Sequence, residues 1–105
     1  MIYLDNSATT FPKPWIVQNA VNNSLKYSAN PGRSGHKLSI KASEEIFLAR
    51  KTAAEFFNAK NETDVIFTLN CTMSMNMVIK GMLKSGDHVV VSEMEHNAVM
   101  RPLEK

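Results

Sequence analysis

At 105 residues the chain holds one small domain and no more, and a domain of that size has little surplus stability. Its composition, 44% hydrophobic and 21% charged, is that of an ordinary soluble globular protein, and a net charge of +2 with interspersed acids and bases excludes an electrostatic footprint for nucleic acid or an anionic membrane. A single cysteine, Cys71, excludes an internal disulfide, no apolar run is long enough to span a bilayer, and MIYLDNSATT lacks the regions of a signal peptide, so a reducing, cytoplasmic location is the expectation.

Ile2–Leu4 is a short apolar lead-in to the polar stretch Asp5-Asn6-Ser7-Ala8-Thr9-Thr10. Pro14 suits the first turn of a helix, and Val17, Ala20, Val21 and Leu25 recur at helical spacing, which predicts a helix over roughly Pro14–Tyr27 with one buried stripe. Ser28–Gly35 reads as a loop on its Asn-Pro and Pro-Gly pairs and its second glycine. From Lys37 to Asn58 the helical period returns, with Leu38, Ala42, Ile46, Ala49, Ala53 and Phe56 in one apolar stripe.

Asp64–Thr68 is an apolar, β-branched run without alternation, the pattern of a strand covered on both faces. A polar turn, Asn70-Cys71-Thr72, then leads into a helical stripe of Met75, Val78, Ile79 and Met82, which Lys84-Ser85-Gly86-Asp87 ends. His88–Ser92 repeats the buried-strand pattern, Glu93–Asn97 is a loop, and Ala98 begins a further helix. Strand, helix and strand predict an α/β arrangement: a βαβ unit, with parallel strands and a right-handed crossover. Two strands do not complete such a sheet, so the expectation is of an unfinished one. No internal repeat or low-complexity stretch is present.

Ligands of open parallel sheets gather at the carboxyl ends of the strands, which here are the turns Leu69–Met73 and Ser92–Asn97. The first turn offers free backbone N–H groups and the positive end of a helix dipole, a natural phosphate site. Thr72 either caps that helix or lends its hydroxyl to an anion. His96, in the second turn, is either an exposed loop histidine or one that stacks on a planar ring and shuttles protons. His88 opens the far end of its strand and reads as structural, while His36 lies in the glycine-rich loop and is open to either reading. Cys71 reads as a small buried hydrophobe rather than a nucleophile. The histidines and Cys71 lack metal-ligand spacing, so a metal site is not expected.

Four segments occur together and in order: YLDNSATTFPKP, NPGRSGH, VIFTLNCTMSMN and GDHVVVSEMEHNAVMRPL. In that combination the chain resembles the class V aminotransferases, and among them the cysteine desulfurase and desulfurase-like branch. The resemblance spans essentially all 105 residues. It implies a fold-type I pyridoxal-phosphate transferase, with residues 1–105 as the N-terminal part of its large domain (helices around a parallel sheet) and the rest of that domain and a C-terminal domain lying outside this chain. The implied cofactor is pyridoxal 5′-phosphate. The implied parent reaction takes L-cysteine, or a similar amino acid, to L-alanine with transfer of sulfur to an enzyme persulfide.

Residue by residue, the resemblance implies that Cys71 and Thr72 hold the cofactor phosphate and that His96 stacks on the pyridine ring and assists proton transfer. Asn6, Ser7, Ala8 and Thr9 match the segment lining the substrate entrance. Asn30, Gly32, Arg33 and His36 match a loop near the active site or subunit boundary, with Arg33 counted among the substrate-binding residues. Asn76 matches a helix position that orders the phosphate turn. Two departures stand out: Met73 where many relatives have Glu, and Asn70-Cys71 where Gly-Ala or Gly-Thr is commoner. The family's Schiff-base lysine and persulfide cysteine match nothing in this chain, so none of its lysines is assigned the first role and Cys71 is not assigned the second. The chain alone is therefore expected to be inactive. The resemblance further implies a homodimer or larger homo-oligomer and a sulfur-acceptor protein as partners. Another class V activity, transamination or selenocysteine cleavage, fits the same motifs, and a non-catalytic, self-associating chain is a third reading.

Overall fold

Pro14, which has no N–H to leave unpaired, stands immediately ahead of the first helix, α1, Trp15–Ser24. The computed structural model describes residues 2–104. In them α1 is followed by α2, Lys37–Phe56, a 3₁₀ turn at Glu62–Asp64, α3, Cys71–Met82, and α4, Asn97–Leu103. The chain divides into two compact units between Val65 and Ile66.

In the first unit, α1 is shorter than its apolar period predicts. Beyond its last residue the chain tightens through Lys26 N–H to the Asn23 carbonyl and Tyr27 N–H to that of Ser24, and the hydroxyls of Ser24 and Ser28 pair at 2.9 Å to close the turn. The predicted stripe on α1 is not covered: the helix buries none of its residues, and Trp15 is 73% exposed. Helix α2 begins where His36 caps it, Nδ1 accepting from the Ser39 N–H at 3.3 Å. It ends in a left-handed cap at Asn58, φ 54°, with Ala59 N–H bonded to the Ala54 carbonyl and Asn58 N–H to that of Glu55. Asparagine tolerates that conformation because its short side chain costs little there. Ala54 is buried at this cap, whereas Phe56, counted in the predicted stripe, is 80% exposed.

Ser39 joins α2 to the loop before it. Its side chain has no exposure at all, and its hydroxyl donates to the Asn30 carbonyl at 2.8 Å. One turn on, the Ser43 hydroxyl donates to the Ser39 carbonyl at 3.0 Å and accepts from Gly32 N–H at 3.1 Å. Gly32 sits at φ +79°, a conformation that other side chains rarely adopt, so the turn and the tether are both written into the sequence.

A second fastening uses Tyr27, half-buried, whose hydroxyl donates to Glu45 at 2.5 Å while the Lys41 ammonium lies 3.4 Å from its ring centroid. The bond to Glu45, then burial, then the carboxylate charge raise the Tyr27 pKa above its ordinary 10.0. Because the folded-state value exceeds the unfolded one, the contribution of this phenol is complete below about pH 10 and is lost as the pH rises through the raised value. Amide exchange between residues 28 and 45 should therefore accelerate in strong alkali beyond its intrinsic pH dependence. Tyr27→Phe should remove that excess; an unchanged excess in the variant would contradict the assignment.

The second unit corrects the expected fold class. Residues 65–68 and 88–92, read as buried strands from their composition, carry no regular secondary structure, and among the described residues no strand and no sheet forms. The expected α/β large domain, with a parallel sheet and one βαβ unit, is replaced by helices joined through irregular segments. The physical reason is coverage. A continuous apolar strand is stable only when neighbouring strands take its backbone hydrogen bonds and packed layers cover both faces. Here Ile66 is 70% exposed and Val90 86% exposed. What holds the unit is α3 packed on α4. Helix α4 buries Ala98 and Pro102, and it begins one residue earlier than the sequence predicts because His96 caps it.

Candidate functional site

The turn before α3 is built by four side chains. Asn70 has extended backbone, φ −168° and ψ 169°, and its Oδ1 accepts from Met73 N–H at 2.9 Å. Its carbonyl accepts from Ser74 N–H at 3.2 Å and from the Thr68 hydroxyl at 2.9 Å. The Thr68 and Ser74 hydroxyls pair at 2.5 Å. The Asn76 amide donates to the Thr72 carbonyl at 2.9 Å, a contact within α3.

Asn70 therefore does the capping that Thr72 was open to doing. Asparagine is among the preferred caps, so this was readable from the sequence. The consequence falls on Thr72, whose hydroxyl has no hydrogen bond among the described residues. The N–H groups of Cys71 and Thr72, the first two of the helix, also have no partner within the described chain. Cys71 is exposed, not the buried hydrophobe that its lone occurrence favours. The first turn of α3 carries no acidic residue and its last turn carries Lys80, so no carboxylate opposes an anion at the positive end of the helix. Two unpaired N–H groups, one unpaired hydroxyl and a favourable dipole fit a phosphate monoester such as that of pyridoxal 5′-phosphate.

His96 caps α4 through Nδ1, which accepts from Ala98 N–H at 3.1 Å. A nitrogen that accepts carries no proton, so the neutral ring bears its hydrogen on Nε2. The imidazole is exposed, with one nitrogen committed and one free. His36 makes the same kind of cap on α2. A histidine cap has no sequence signature, and both were missed.

Thr72 and His96 lie in the same unit. A groove of about 930 Å³ in that unit is elsewhere: it lies between the C-terminal parts of α3 and α4 and is lined by Ile79, Leu83, His88, Met100 and Leu103 among others, and it includes neither Thr72 nor His96.

Asn6, Ala8, Thr9 and Arg33 belong to the first unit. The Asn6 carboxamide oxygen accepts from Phe11 N–H at 3.1 Å, and Ala8 and Thr9 N–H groups both bond to the Asp5 carbonyl. Thr9 accepts from Lys13 through its hydroxyl at 2.6 Å and from the Tyr3 hydroxyl through its carbonyl at 2.8 Å. These contacts make a folded N-terminal turn. Arg33 stands exposed in the loop that Ser39 and Ser43 tether. Among the described residues no cluster of His, Cys, Asp and Glu can hold a metal ion, and no helix is long and apolar enough to cross a membrane.

Residues 2–105 match the family model of the class-V aminotransferases. A probable cysteine desulfurase of Pyrococcus abyssi is 35% identical, aligned over 100% of this chain and 27% of its own length. One from Methanothermobacter thermautotrophicus is 36% identical over 96% of this chain and 25% of its own. A cysteine desulfurase of Wigglesworthia glossinidia brevipalpis is 32% identical over 97% of this chain and 26% of its own. The chain thus spans about a quarter of the length of these curated relatives. No solved structure matches it.

Proposed function

The chain belongs to the class-V aminotransferase family, and on that footing we propose that it supplies the phosphate anchor and the ring-facing histidine of a pyridoxal-phosphate-dependent cysteine desulfurase. The observation that carries the reading is the start of α3, where Asn70 takes the capping role and leaves the Cys71 and Thr72 N–H groups and the Thr72 hydroxyl unclaimed. The family is pyridoxal-phosphate dependent, and the substrate drawn from the relatives' names is L-cysteine.

When bound, the cofactor supplies an electron sink for the bonds around the substrate α-carbon. The residues of this chain do the rest of what is assigned here. Cys71 and Thr72 would hold the phosphate through their N–H groups and the Thr72 hydroxyl. His96, oriented by its own Nδ1 cap, would face the pyridine ring and hold or move a proton at Nε2. Asn6, Ala8, Thr9 and Arg33 form the substrate entrance, with the Arg33 guanidinium available to a substrate carboxylate. The chain is read as part of the cofactor-binding large domain of its longer relatives. No lysine in it is assigned the covalent link. L-Alanine and a persulfide are the products of the whole reaction, and a sulfur-acceptor protein is its expected partner.

Borohydride reduction of the chain with pyridoxal 5′-phosphate, followed by peptide mapping, tests this division of roles. Scattered, substoichiometric labelling of surface lysines is expected. One lysine labelled stoichiometrically would overturn it.

We also propose that the chain self-associates. Leu48 and Phe57, with Trp15 and Ile16 of α1, present apolar surface that α1 and α2 leave uncovered. Sedimentation should show species larger than a monomer at high concentration; a monomer at every concentration would contradict this.

A further inference from the structure

The site above accounts for the groups that touch the phosphate and leaves unexplained the pair of hydroxyls beneath them. Thr68 and Ser74 are six residues apart, both half-buried, and their oxygens lie 2.5 Å from one another. Each also reaches the Asn70 carbonyl, Thr68 at 2.9 Å and Ser74, at the edge of hydrogen-bonding range, at 3.4 Å. A hydroxyl has one proton to give. The shorter contact to the carbonyl is that of Thr68, so Thr68 donates to Asn70, and Ser74 donates to Thr68. The chain of bonds runs from the first turn of α3 back to the segment that precedes it.

The carbonyl at the end of this chain belongs to the capping residue. Asn70 is held at three points: its Oδ1 by Met73 N–H, and its carbonyl by Ser74 N–H and the Thr68 hydroxyl. The peptide that carries that carbonyl is the one whose N–H belongs to Cys71. Because the peptide unit is planar, fixing the Asn70 oxygen fixes the direction of the Cys71 N–H, which points the opposite way.

We infer that Thr68 and Ser74 are positioning residues for anion binding at α3: they set the plane of the Asn70–Cys71 peptide and so aim the Cys71 N–H, without touching the ligand themselves. This rests on the reading of α3 as a phosphate anchor. It adds the groups that preorganise that anchor, for which a helix cap alone has no need, since Asn70 Oδ1 already caps Met73.

The test compares the wild-type chain with Thr68→Val, Thr68→Ser and Ser74→Ala, using pyridoxine 5′-phosphate as the probe because it has no aldehyde to react with lysines. Two quantities are read: amide exchange at Met73 and Ser74 without ligand, and affinity from the Cys71 and Thr72 amide shifts. Thr68→Val is expected to weaken binding about three- to tenfold, the effect of losing one hydrogen bond, with α3 helicity retained. Ser74→Ala should weaken it less, because the Thr68 bond to Asn70 survives, and Thr68→Ser should restore wild-type affinity. Thr68→Val should also speed exchange at Ser74 N–H, which shares the Asn70 carbonyl.

Equal affinity in Thr68→Val and the wild type would overturn the inference, as would a loss that Thr68→Ser fails to repair. If the wild type itself binds no pyridoxine 5′-phosphate, the anchor reading fails, and the positioning inference falls with it as a statement about anions. The exchange data then decide separately whether Thr68 orders the turn.

Discussion

Cys71→Pro should abolish most of the phosphate affinity of this chain while leaving α3 folded. Cys71 is the first residue of the helix, the position where proline is best tolerated, because its N–H has no partner inside the helix. The residue before it, Asn70, is already extended, as a residue preceding proline must be. Asn70 Oδ1 still caps Met73, and the Thr68 hydroxyl and Ser74 N–H bonds to the Asn70 carbonyl do not involve the deleted hydrogen. What disappears is one of the two unclaimed N–H groups. A hydrogen bond to a charged group contributes about 1.5–3 kcal/mol, so pyridoxine 5′-phosphate should bind roughly ten- to a hundredfold more weakly. Circular dichroism should record the same helix content, and the shift titration the lost affinity. Retained affinity would mean that the phosphate, if bound, is held elsewhere.

Ser39→Leu should have the largest effect on stability, in the first unit, by about 2–4 kcal/mol. Ser39 is completely enclosed, and its hydroxyl makes the 2.8 Å bond that fixes the Asn30 carbonyl. Removing that bond costs about 1 kcal/mol, and forcing a larger side chain into a closed site costs a further 1–3 kcal/mol or so. The Ser43 relay to Gly32 depends on the Ser39 carbonyl, so the whole Asn30–Gly35 loop should loosen. Denaturant melts and exchange at Gly32 N–H measure both. Ser39→Ala, which loses the bond alone, should fall near 1 kcal/mol. Equal effects from Ala and Leu would mean that the site has room the structure does not show.

These two residues mark what the sequence discloses and what it hides. The helices were legible in type because their signals are local: Pro14 at the start of α1, the period of α2, Asn70 ahead of α3. The loop of residues 28–35 was legible from Pro31 and Gly32. The sheet was misread for a physical reason. Ile66, Phe67 and Val89–Val91 have the composition of buried strands, but burial depends on neighbours, and among the described residues no strand pairs with them, and Ile66 and Val90 stay largely exposed. The stripes on α1 and α2 fail in the same way, since periodicity reports which face could be covered and not what covers it. At the site, the family resemblance implied an anion at residues 71 and 72 and a ring at 96, where the residue types alone left capping and loop readings open. Their hydrogen bonding stayed hidden, because a histidine cap and a hydroxyl relay six residues long have no period to read.

The central claim is that the start of α3 and His96 together receive a phosphorylated pyridine. Titration of the isotopically labelled chain with pyridoxine 5′-phosphate, and in parallel with pyridoxine, tests it most directly. The account predicts saturable shifts of the Cys71 and Thr72 amides and of the His96 ring with the phosphorylated compound, and no shift of the two amides with pyridoxine. Amides at Cys71 and Thr72 that stay still, or that respond equally to both compounds, would contradict it.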